Sequence, residues 1–324
     1  MLSVENMSVE YGTSRGILSA IRDVSLTVAA GETVGLVGES GCGKSTLGRA
    51  IVQLEPIVAG SIKIDGQDAA TQARRNRRAF ARLAQMIFQD PSNSLDPRMT
   101  VGVALDIALR LHGSHGAGER RARILELLAQ VGLDATSVDR RPHEFSGGQR
   151  QRIGIARALA LRPRLIVCDE IVSALDVSME AQVLNLLTRL KQDHGISYLF
   201  ISHDLSVVEH ISDRVVVMYL GKIVEICSRD DLFQGAVHPY TRALIEAIPQ
   251  ASPHLRRIEA RRTIQGDLPD PYAPPSGCAF RTRCPQAVAR CAQIEPRLQA
   301  VAKDHVVACR LADEAPVPQP INLN

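Results

Sequence analysis

The sequence has no apolar run near the roughly 18 residues that a membrane-spanning helix needs, so no such helix is predicted. Its first residues show neither the basic segment nor the apolar core of a secretory signal, and we expect a cytoplasmic protein. A net charge of +3 is too small to indicate a nucleic-acid partner. The basic cluster at 74–78 also lacks interleaved aromatic residues, so it predicts a solvated helix face.

One long motif for phosphate binding is present, Gly38-Glu39-Ser40-Gly41-Cys42-Gly43-Lys44-Ser45. It matches the pattern G-x-x-x-x-G-K-[ST] and lies between an apolar strand pattern at 33–37 and a helical pattern beginning at Thr46. In that setting, successive N–H groups and the helix N-terminus point at phosphate oxygens. We expect Lys44 to reach the β- and γ-phosphates and the Ser45 hydroxyl to bind Mg²⁺.

The order of the other patterns predicts an α/β fold. Strand and helix patterns alternate, which favours a mainly parallel sheet covered by helices. Two strands are predicted at 2–9 and 21–28, with Tyr11 between them, and one polar helix at about 71–82. Helical patterns at about 100–112 and 118–132 indicate an inserted helical lobe.

Polar residues follow several predicted strands. Ligands of such sheets bind beyond the carboxyl ends of the strands, where Gly38, Gln89, Asp169 with Glu170, and His203 fall. Asp169 is suited to hold Mg²⁺ through its water shell. Glu170 is suited to polarise the water that attacks the γ-phosphate.

A second anion-binding pattern, Phe145-Ser146-Gly147-Gly148-Gln149, opens a predicted helix. With the phosphate loop, glutamine, Asp-Glu and histidine in this order, residues 1–250 resemble the nucleotide-binding subunit of an ATP-binding-cassette (ABC) transporter. The resemblance implies a P-loop NTPase that binds ATP and Mg²⁺, with an inserted helical subdomain at about 97–160.

The same resemblance assigns roles to single residues. It implies that Glu170 is the catalytic base, His203 the switch histidine and Gln89 a residue at the Mg²⁺ or the attacking water. It makes 145–149 the signature sequence and Tyr11 the aromatic residue that stacks on adenine. The D-loop, at 173–176, ends in Asp176. In this family two cassettes pair head to tail, so that each ATP lies between one phosphate loop and the other subunit's signature.

Two positions depart from the family pattern. Phe145 stands where the signature commonly has Leu, which is a mild apolar exchange. Ile171 stands where Pro usually follows the catalytic glutamate, which removes a residue of fixed φ but no chemical group. All catalytic positions are filled, and we expect an active ATPase.

Segments at 89–102, 238–244 and 277–285 resemble the oligopeptide/dipeptide/nickel importer subfamily. The implied domains are a cassette at 1–235, an extension at 236–311 and a disordered tail at 312–324.

The implied partners are two transmembrane permease subunits, a second ABC ATPase subunit (a homologue or a copy) and, through the complex, an extracytoplasmic solute-binding protein. The implied location is the cytoplasmic face of the cell membrane. Three alternatives are a nickel importer, a soluble ABC ATPase acting on ribosomes or chromosomes, and an ATP-binding regulator without turnover.

The extension contains a cluster of cysteines, Cys278, Cys284, Cys291 and Cys309. A cytoplasmic location argues against disulfides, whereas four thiolates can hold Zn²⁺ or a 4Fe–4S cluster. No close C-x₂₋₄-C pair of the usual zinc kind occurs. Because similar extensions in the subfamily carry iron–sulfur clusters, the resemblance favours 4Fe–4S, while zinc and unligated thiols stay open.

Overall fold

A computed structural model describes residues 1–90, 95–112, 116–248 and 266–310 of the chain. The strands are β1 (Leu2–Thr13), β2 (Gly16–Val28), β3 (Thr33–Val37), β4 (Ala59–Ile64), β5 (Gln67–Asp68), β6 (Ala84–Ile87), β7 (Leu165–Asp169), β8 (Ser197–Ser202), β9 (Arg214–Tyr219), β10 (Lys222–Ser228), β11 (Gln299–Ala302) and β12 (His305–Val307). The α-helices are α1 (Lys44–Ile51), α2 (Ala69–Arg75), α3 (Arg77–Leu83), α4 (Val101–His112), α5 (Ala117–Gln130), α6 (Gly147–Leu159), α7 (Val177–His194), α8 (Leu205–Ile211), α9 (Arg229–Gly235) and α10 (Pro239–Glu246).

The main sheet has the strand order β11-β12-β10-β9-β3-β8-β7-β6. Strands β9, β3, β8, β7 and β6 run parallel, which confirms the α/β prediction for the centre of the molecule. All residues of β3, β7 and β8 are buried, as expected for parallel strands that are covered by helices on both faces. Beyond β9 the pairing becomes antiparallel through β10, β12 and β11.

A separate antiparallel sheet has the order β2-β1-β4-β5. Its first hairpin is longer than the sequence predicts, and Tyr11 pairs with Leu18 inside it instead of lying between two strands. The inner face of this sheet packs on α1 through apolar side chains that include Val4, Met7 and Ile21, which are buried.

The helical lobe contains α4, α5 and α6, as the periodic patterns predict. Its interior is built from apolar side chains that are at most 4% exposed: Val101, Leu105, Ile124, Leu127, Leu128 and Ile153. Arg120 donates to Asp106 and ties α5 to α4 at 2.5 Å. The apolar residues of the lobe belong to the larger of the two hydrophobic cores, which also contains Ile166 of β7 and Phe200 of β8.

The single helix predicted at about 71–82 is wrong, because the structure contains two short helices there. Asn76 between α2 and α3 has φ −154° and ψ 88°, which no α-helix accommodates. Its side chain accepts a hydrogen bond from the Ala79 N–H at 3.0 Å, so it caps α3.

Strands β11 and β12 were not predicted from the sequence. They extend the main sheet beyond β10, so part of the extension shares a sheet with the cassette. The segments 91–94, 249–265 and 311–324, which include part of the segment 89–102 and the predicted tail, lie outside the described residues. In the parts that are described, no helix combines the length and apolarity needed to cross a membrane.

Candidate functional site: a nucleotide cleft

The phosphate loop turns between β3 and α1 on three glycines with positive φ: 153° at Gly38, 78° at Gly41 and 105° at Gly43. Such torsions strain residues that carry a Cβ. A Cβ at Gly38 would also lie 2.2 Å from the Met218 carbonyl oxygen, and one at Gly43 would lie 2.6 Å from the Ala20 carbonyl oxygen. The loop therefore packs directly on backbone at these two glycines.

Lys44 lies at the first turn of α1 and is 4% exposed. Its ammonium group donates to the carbonyl oxygens of Gly38 at 2.8 Å and Glu39 at 3.0 Å. The lysine that is expected to contact phosphate is thus folded back on its own loop. A buried ammonium needs such partners, and phosphate oxygens can replace them.

Ser45 and Asp169 bring together two oxygen atoms suited to Mg²⁺. The Ser45 hydroxyl donates to Asp169 Oδ1 at 2.7 Å, although the two residues are far apart in the sequence. Asp169 ends β7 and is 2% exposed, and this burial raises the pKa of its carboxyl, against the effect of the Ser45 hydroxyl. A hydroxyl beside a carboxylate is a donor set that Mg²⁺ binds, so these residues fit the ion.

Glu170, directly after β7, lies at the centre of a second group. Gln89 Nε2 donates to Glu170 Oε2 at 3.0 Å, and His203 Nδ1 lies 3.4 Å from the same oxygen. Glu170 has φ +48°, a strained torsion that bends the backbone directly after β7. Its N–H donates to the Ile201 carbonyl at 3.0 Å, which fixes this bend against β8.

Lys44, Ser45, Gln89 and Glu170 border one open cleft of about 310 Å³. Asp169 and His203 are not among its described lining residues, but they contact Ser45 and Glu170, which are. Six loop residues line it: Ser40, Gly41, Gly43, Lys44, Ser45 and Thr46. Tyr11, Gln89 and Glu170 line it as well, so the structure unites the predicted phosphate, aromatic and catalytic positions. Cys42 is 1% exposed and is not one of the described residues that line the cleft. Its contribution to the loop is its backbone.

Part of this lining was not predicted from the sequence. Arg22 and Leu220 contribute to it, and so do Pro271 and Pro274 of the extension. Arg15 holds this proline segment by donating to Asp270 at 2.6 Å and by lying 4.4 Å above the ring of Tyr272. No local signal in the sequence indicates that this proline segment reaches the nucleotide cleft.

The signature residues lie on another surface. Ser146 caps α6 by accepting a hydrogen bond from the Gln149 N–H at 3.3 Å, and Gln149 Oε1 accepts one from the Ser146 N–H at 3.0 Å. Gly147 and Gly148 form the first turn of α6. Among the described residues that line the cleft, none belongs to this turn.

Asp176 is the N-cap of α7 and accepts a hydrogen bond from the Met179 N–H at 2.9 Å. Met179 also packs on the signature turn, since a Cβ at Gly148 would lie 1.9 Å from its Cε. The predicted D-loop residue is therefore close to the signature and helps to support it.

The cysteines of the extension converge. Cys278, Cys284, Cys291 and Cys309 line one small cavity, together with His238, Phe280 and Ile294. Burial raises the pKa of the Cys278 thiol to about 11. The described cysteines are free thiols. Within the residues that the structure describes, no three His, Cys, Asp or Glu side chains are grouped closely enough to hold a metal ion.

Comparison with protein families agrees with this geometry. Residues 21–173 match the family ABC transporter. Residues 224–291 match the family Oligopeptide/dipeptide transporter, C-terminal region. The second match begins in β10 and ends within the cysteine cluster.

Similar proteins cover nearly the whole chain. A putative peptide import ATP-binding protein of Brucella ovis is 52% identical over 309 residues, which are 95% of this chain and 97% of that protein. The putative oligopeptide transport ATP-binding protein YkfD of Bacillus subtilis is 47% identical over 96% of this chain and 95% of its own length. The oligopeptide transport ATP-binding protein OppF of Haemophilus influenzae is 48% identical over 90% and 88%.

Solved structures match the cassette. A dimeric post-hydrolysis state of the ATP-binding cassette MJ0796, bound to ADP and Pi, has a TM-score of 0.65 and 28% identity, over 71% of this chain and 99% of that one. CbiO1 from Clostridium perfringens, part of an ABC transporter complex, has a TM-score of 0.64 and 25% identity over 72% and 90%. The chain belongs to the ATP-binding proteins of ABC transporters, which are ATPases with a P-loop NTPase fold.

Proposed function

We propose that this chain is the ATP-hydrolysing, energy-coupling subunit of an importer for peptides or related small solutes. The observation that carries the proposal is the convergence of Lys44, Ser45, Gln89 and Glu170 at one cleft. Asp169 contacts Ser45 there, and His203 lies beside Glu170. The peptide class is supported by the names of the similar proteins and by the matched C-terminal region.

Each residue at the cleft has a separate role in ATP binding or hydrolysis. Lys44 exchanges its two carbonyl partners for oxygens of the β- and γ-phosphates. Ser45 and Asp169 would hold Mg²⁺, with Gln89 nearby, and the ion supplies neutralisation of phosphate charge. Glu170 accepts a proton from the attacking water. His203 orients this carboxylate and contacts the γ-phosphate.

The signature supports a two-cassette arrangement. Because the first turn of α6 lies away from the cleft of its own chain, the N–H groups of Gly147 and Gly148 can donate to the ATP of a second subunit. In the proposed arrangement Ser146 binds the partner's γ-phosphate, and Asp176 supports the same contact. The second cassette is a homologue or a copy of this chain.

A surface groove supports contact with a permease subunit. The groove, of about 450 Å³, runs between α3 and α4, and its lining includes Phe80, Phe88, Ala104, Ala108 and Leu111. Leu111 is 51% exposed, so apolar surface is open there. The segment 95–100 that leads into α4 also borders the groove and follows Gln89 in the sequence.

This placement connects the cleft with the proposed docking surface, which we assign to a short helix of a transmembrane permease subunit. We propose that the segment 90–102 couples the cleft to this surface; its residues 91–94 lie outside the described residues. With two permease subunits, the chain acts at the cytoplasmic face of the cell membrane, and an extracytoplasmic binding protein supplies the solute. We further propose the division into a cassette at 1–235 and an extension at 236–311.

The coupling proposal is tested by filling the groove. Ala108→Arg places a long charged side chain in it, whereas Val103→Arg changes an exposed residue of the same helix outside the groove lining. We expect Ala108→Arg to abolish solute-stimulated ATPase activity and transport in the assembled complex and to leave basal ATPase activity within about twofold. Val103→Arg should leave all three activities near wild type. Normal transport by Ala108→Arg, or co-purification with ribosomes instead of a multispanning membrane protein, would contradict the proposal.

We also propose that the four cysteines hold a 4Fe–4S cluster with a structural role. Their convergence on one cavity fits a group that binds four thiolates. Structural Zn²⁺ sites usually contain close C-x₂₋₄-C pairs, and these four cysteines include none. Held together in this way, the extension gains order that its small core provides only in part.

Metal analysis after anaerobic purification tests this assignment. We expect iron and acid-labile sulfide in equal amounts, with visible absorption, and loss of both in Cys291→Ser. Cys227→Ala is the matched control, because Cys227 is buried in β10 away from the cavity. Stoichiometric zinc without iron would exclude the cluster, and folded, active protein without any metal would exclude both groups.

A further inference from the structure

An arginine of the extension binds the phosphate loop directly. Arg283 Nη1 donates to Glu39 Oε2 at 2.6 Å, and Nη2 donates to Glu39 Oε1 at 2.9 Å. The two parallel bonds form the bidentate arrangement in which an arginine holds a carboxylate most firmly. Glu39 is the second residue of the phosphate loop, so the contact joins two distant parts of the sequence at the nucleotide site.

The pair differs from an ordinary surface ion pair. The Arg283 side chain is 7% exposed and that of Glu39 is 25% exposed, whereas freely exposed pairs contribute little to stability. Arg283 also donates to the Gly266 carbonyl through Nε at 3.1 Å, so its guanidinium plane is fixed on both edges. The hydrogen bonds to Glu39 raise the pKa of Arg283 against the effect of burial, and the arginine stays charged at every working pH.

The turn that carries Arg283 is itself anchored in the cassette. Phe280 is 1% exposed, and its ring centroid lies 5.3 Å from those of Tyr219 in β9 and Tyr240 in α10. The Tyr240 hydroxyl accepts a hydrogen bond from the Glu39 N–H at 2.8 Å. Glu39 is therefore held at its backbone by α10 and at its carboxylate by the turn at 278–284.

Glu39 in turn holds the lysine of the loop. Its carbonyl oxygen accepts a hydrogen bond from Lys44 Nζ at 3.0 Å. An unpaired Glu39 carboxylate would also place a negative charge beside the site of the ATP phosphates and repel them. The positive charge of Arg283 compensates the charge of Glu39. Its two hydrogen bonds also limit the movement of the loop backbone, whose N–H groups must point at phosphate.

We propose that Arg283 is a positioning residue for ATP, through which the C-terminal extension holds the phosphate loop in its nucleotide-binding form. The proposal rests on the ATP site of the cassette and is independent of the transported solute. It makes the extension a part of the nucleotide site. The expected effect falls on nucleotide affinity more than on the chemical step, because Arg283 is not among the residues that line the cleft.

Equilibrium binding of MgATP to the full-length protein tests the proposal. We expect Arg283→Gln to raise Kd about tenfold, with kcat at saturating MgATP within about twofold of wild type. Arg283→Lys should lose less, because it keeps the charge but not the bidentate geometry. Arg281→Gln is the matched control, since Arg281 donates to the carbonyl and hydroxyl oxygens of Ser276 within the extension.

A double-mutant cycle separates this pair from general loosening of the extension. The combination of Arg283→Gln with Glu39→Gln leaves no unpaired carboxylate, so we expect it to bind MgATP more tightly than Arg283→Gln alone. Additive losses in the double variant would overturn the proposal. So would a Kd within twofold of wild type in folded Arg283→Gln.

Hydrogen exchange of the nucleotide-free protein provides a readout that does not depend on ATP. Peptides covering 38–45 should exchange at least about threefold faster in Arg283→Gln than in wild type or in Arg281→Gln. Equal exchange in all three proteins would refute the coupling even if hydrolysis itself failed. If the proposed function were wrong, the wild-type protein would not bind ATP, but peptides covering 38–45 would still exchange faster in Arg283→Gln than in wild type.

Discussion

Replacement of Glu170 by Gln is the most direct test of the catalytic assignment. The amide keeps the length and shape of the side chain and can still accept a hydrogen bond from Gln89 Nε2, which lies 3.0 Å from Oε2 in the native protein. Gln adopts the φ of +48° at this position no less readily than Glu, so the bend after β7 is kept. What is lost is the capacity to accept a proton from water.

The magnitude follows from the role of the lost group. General-base catalysis contributes about 10²–10⁴-fold, so kcat should fall by about 10³, which corresponds to about 4 kcal/mol in the activation barrier. The Kd for MgATP should stay within about threefold of wild type, because Lys44, Ser45 and Asp169 are unchanged. Phosphate release at saturating MgATP measures the first quantity, and equilibrium binding measures the second.

Because the bound ATP is not hydrolysed, a closed pair of cassettes should also accumulate. Size-exclusion chromatography with MgATP detects this species, and both cassettes must carry the substitution if the partner is a homologue. Glu209→Gln, an exposed position on α8, is the control for a change of charge. Turnover of Glu170→Gln within tenfold of wild type in the assembled complex would refute the assignment of Glu170 as the base.

Two further substitutions examine the signature and the central sheet. Ser146→Ala removes the oxygen that accepts from the Gln149 N–H, so we expect unfolding free energy to fall by about 1 kcal/mol in urea titrations and ATP-dependent pairing to be lost. Gly35→Ala places a Cβ 2.4 Å from Val208 Cγ1 and 2.5 Å from Ser212 Oγ, and we expect about 1–3 kcal/mol of destabilisation. An unchanged urea midpoint would contradict the second expectation, and normal pairing the first.

The central strands could be predicted because their sequence signals are local and strong. Segments such as 165–169 and 197–202 are continuous apolar runs, and fully buried parallel strands require such runs. Each is followed by a polar residue of the site, and the carboxyl ends of parallel strands meet at one edge. The convergence of Ser45, Asp169 and Glu170 was predictable for this reason.

Other features depend on contacts that no local pattern contains. The break between α2 and α3 arises from one side chain, Asn76, which satisfies the N–H of Ala79 in place of a continuing helix. The hairpin of β11 and β12 has only a few residues in each strand and acquires its place by pairing with β10. Short strands of this kind give a weak periodic signal, and their partner is distant in the sequence.

The same limit applies to the extension as a part of the nucleotide site. Arg283 is one of many basic residues, and its sequence neighbours do not distinguish it from a solvated arginine. Only the fold of the turn around Phe280 brings it within 2.6 Å of Glu39. Cys278 and Cys284 could be predicted as metal ligands from the sequence, whereas the contact of Arg283 with the loop could not.

The polar groups of the nucleotide cleft are already satisfied by one another. Lys44 is hydrogen-bonded to loop carbonyls, Ser45 to Asp169 and Gln89 to Glu170. Burial of these polar groups is therefore compensated by hydrogen bonds within the protein. In the proposed function, binding of MgATP is an exchange of partners: phosphate oxygens take the place of the loop carbonyls at Lys44, and Mg²⁺ would take the place of the hydrogen bond between Ser45 and Asp169. Glu39 has a different position in this exchange. Transfer of Lys44 to a phosphate releases the Glu39 carbonyl, but the carboxylate keeps both bonds to Arg283, so the loop stays fixed while its lysine moves.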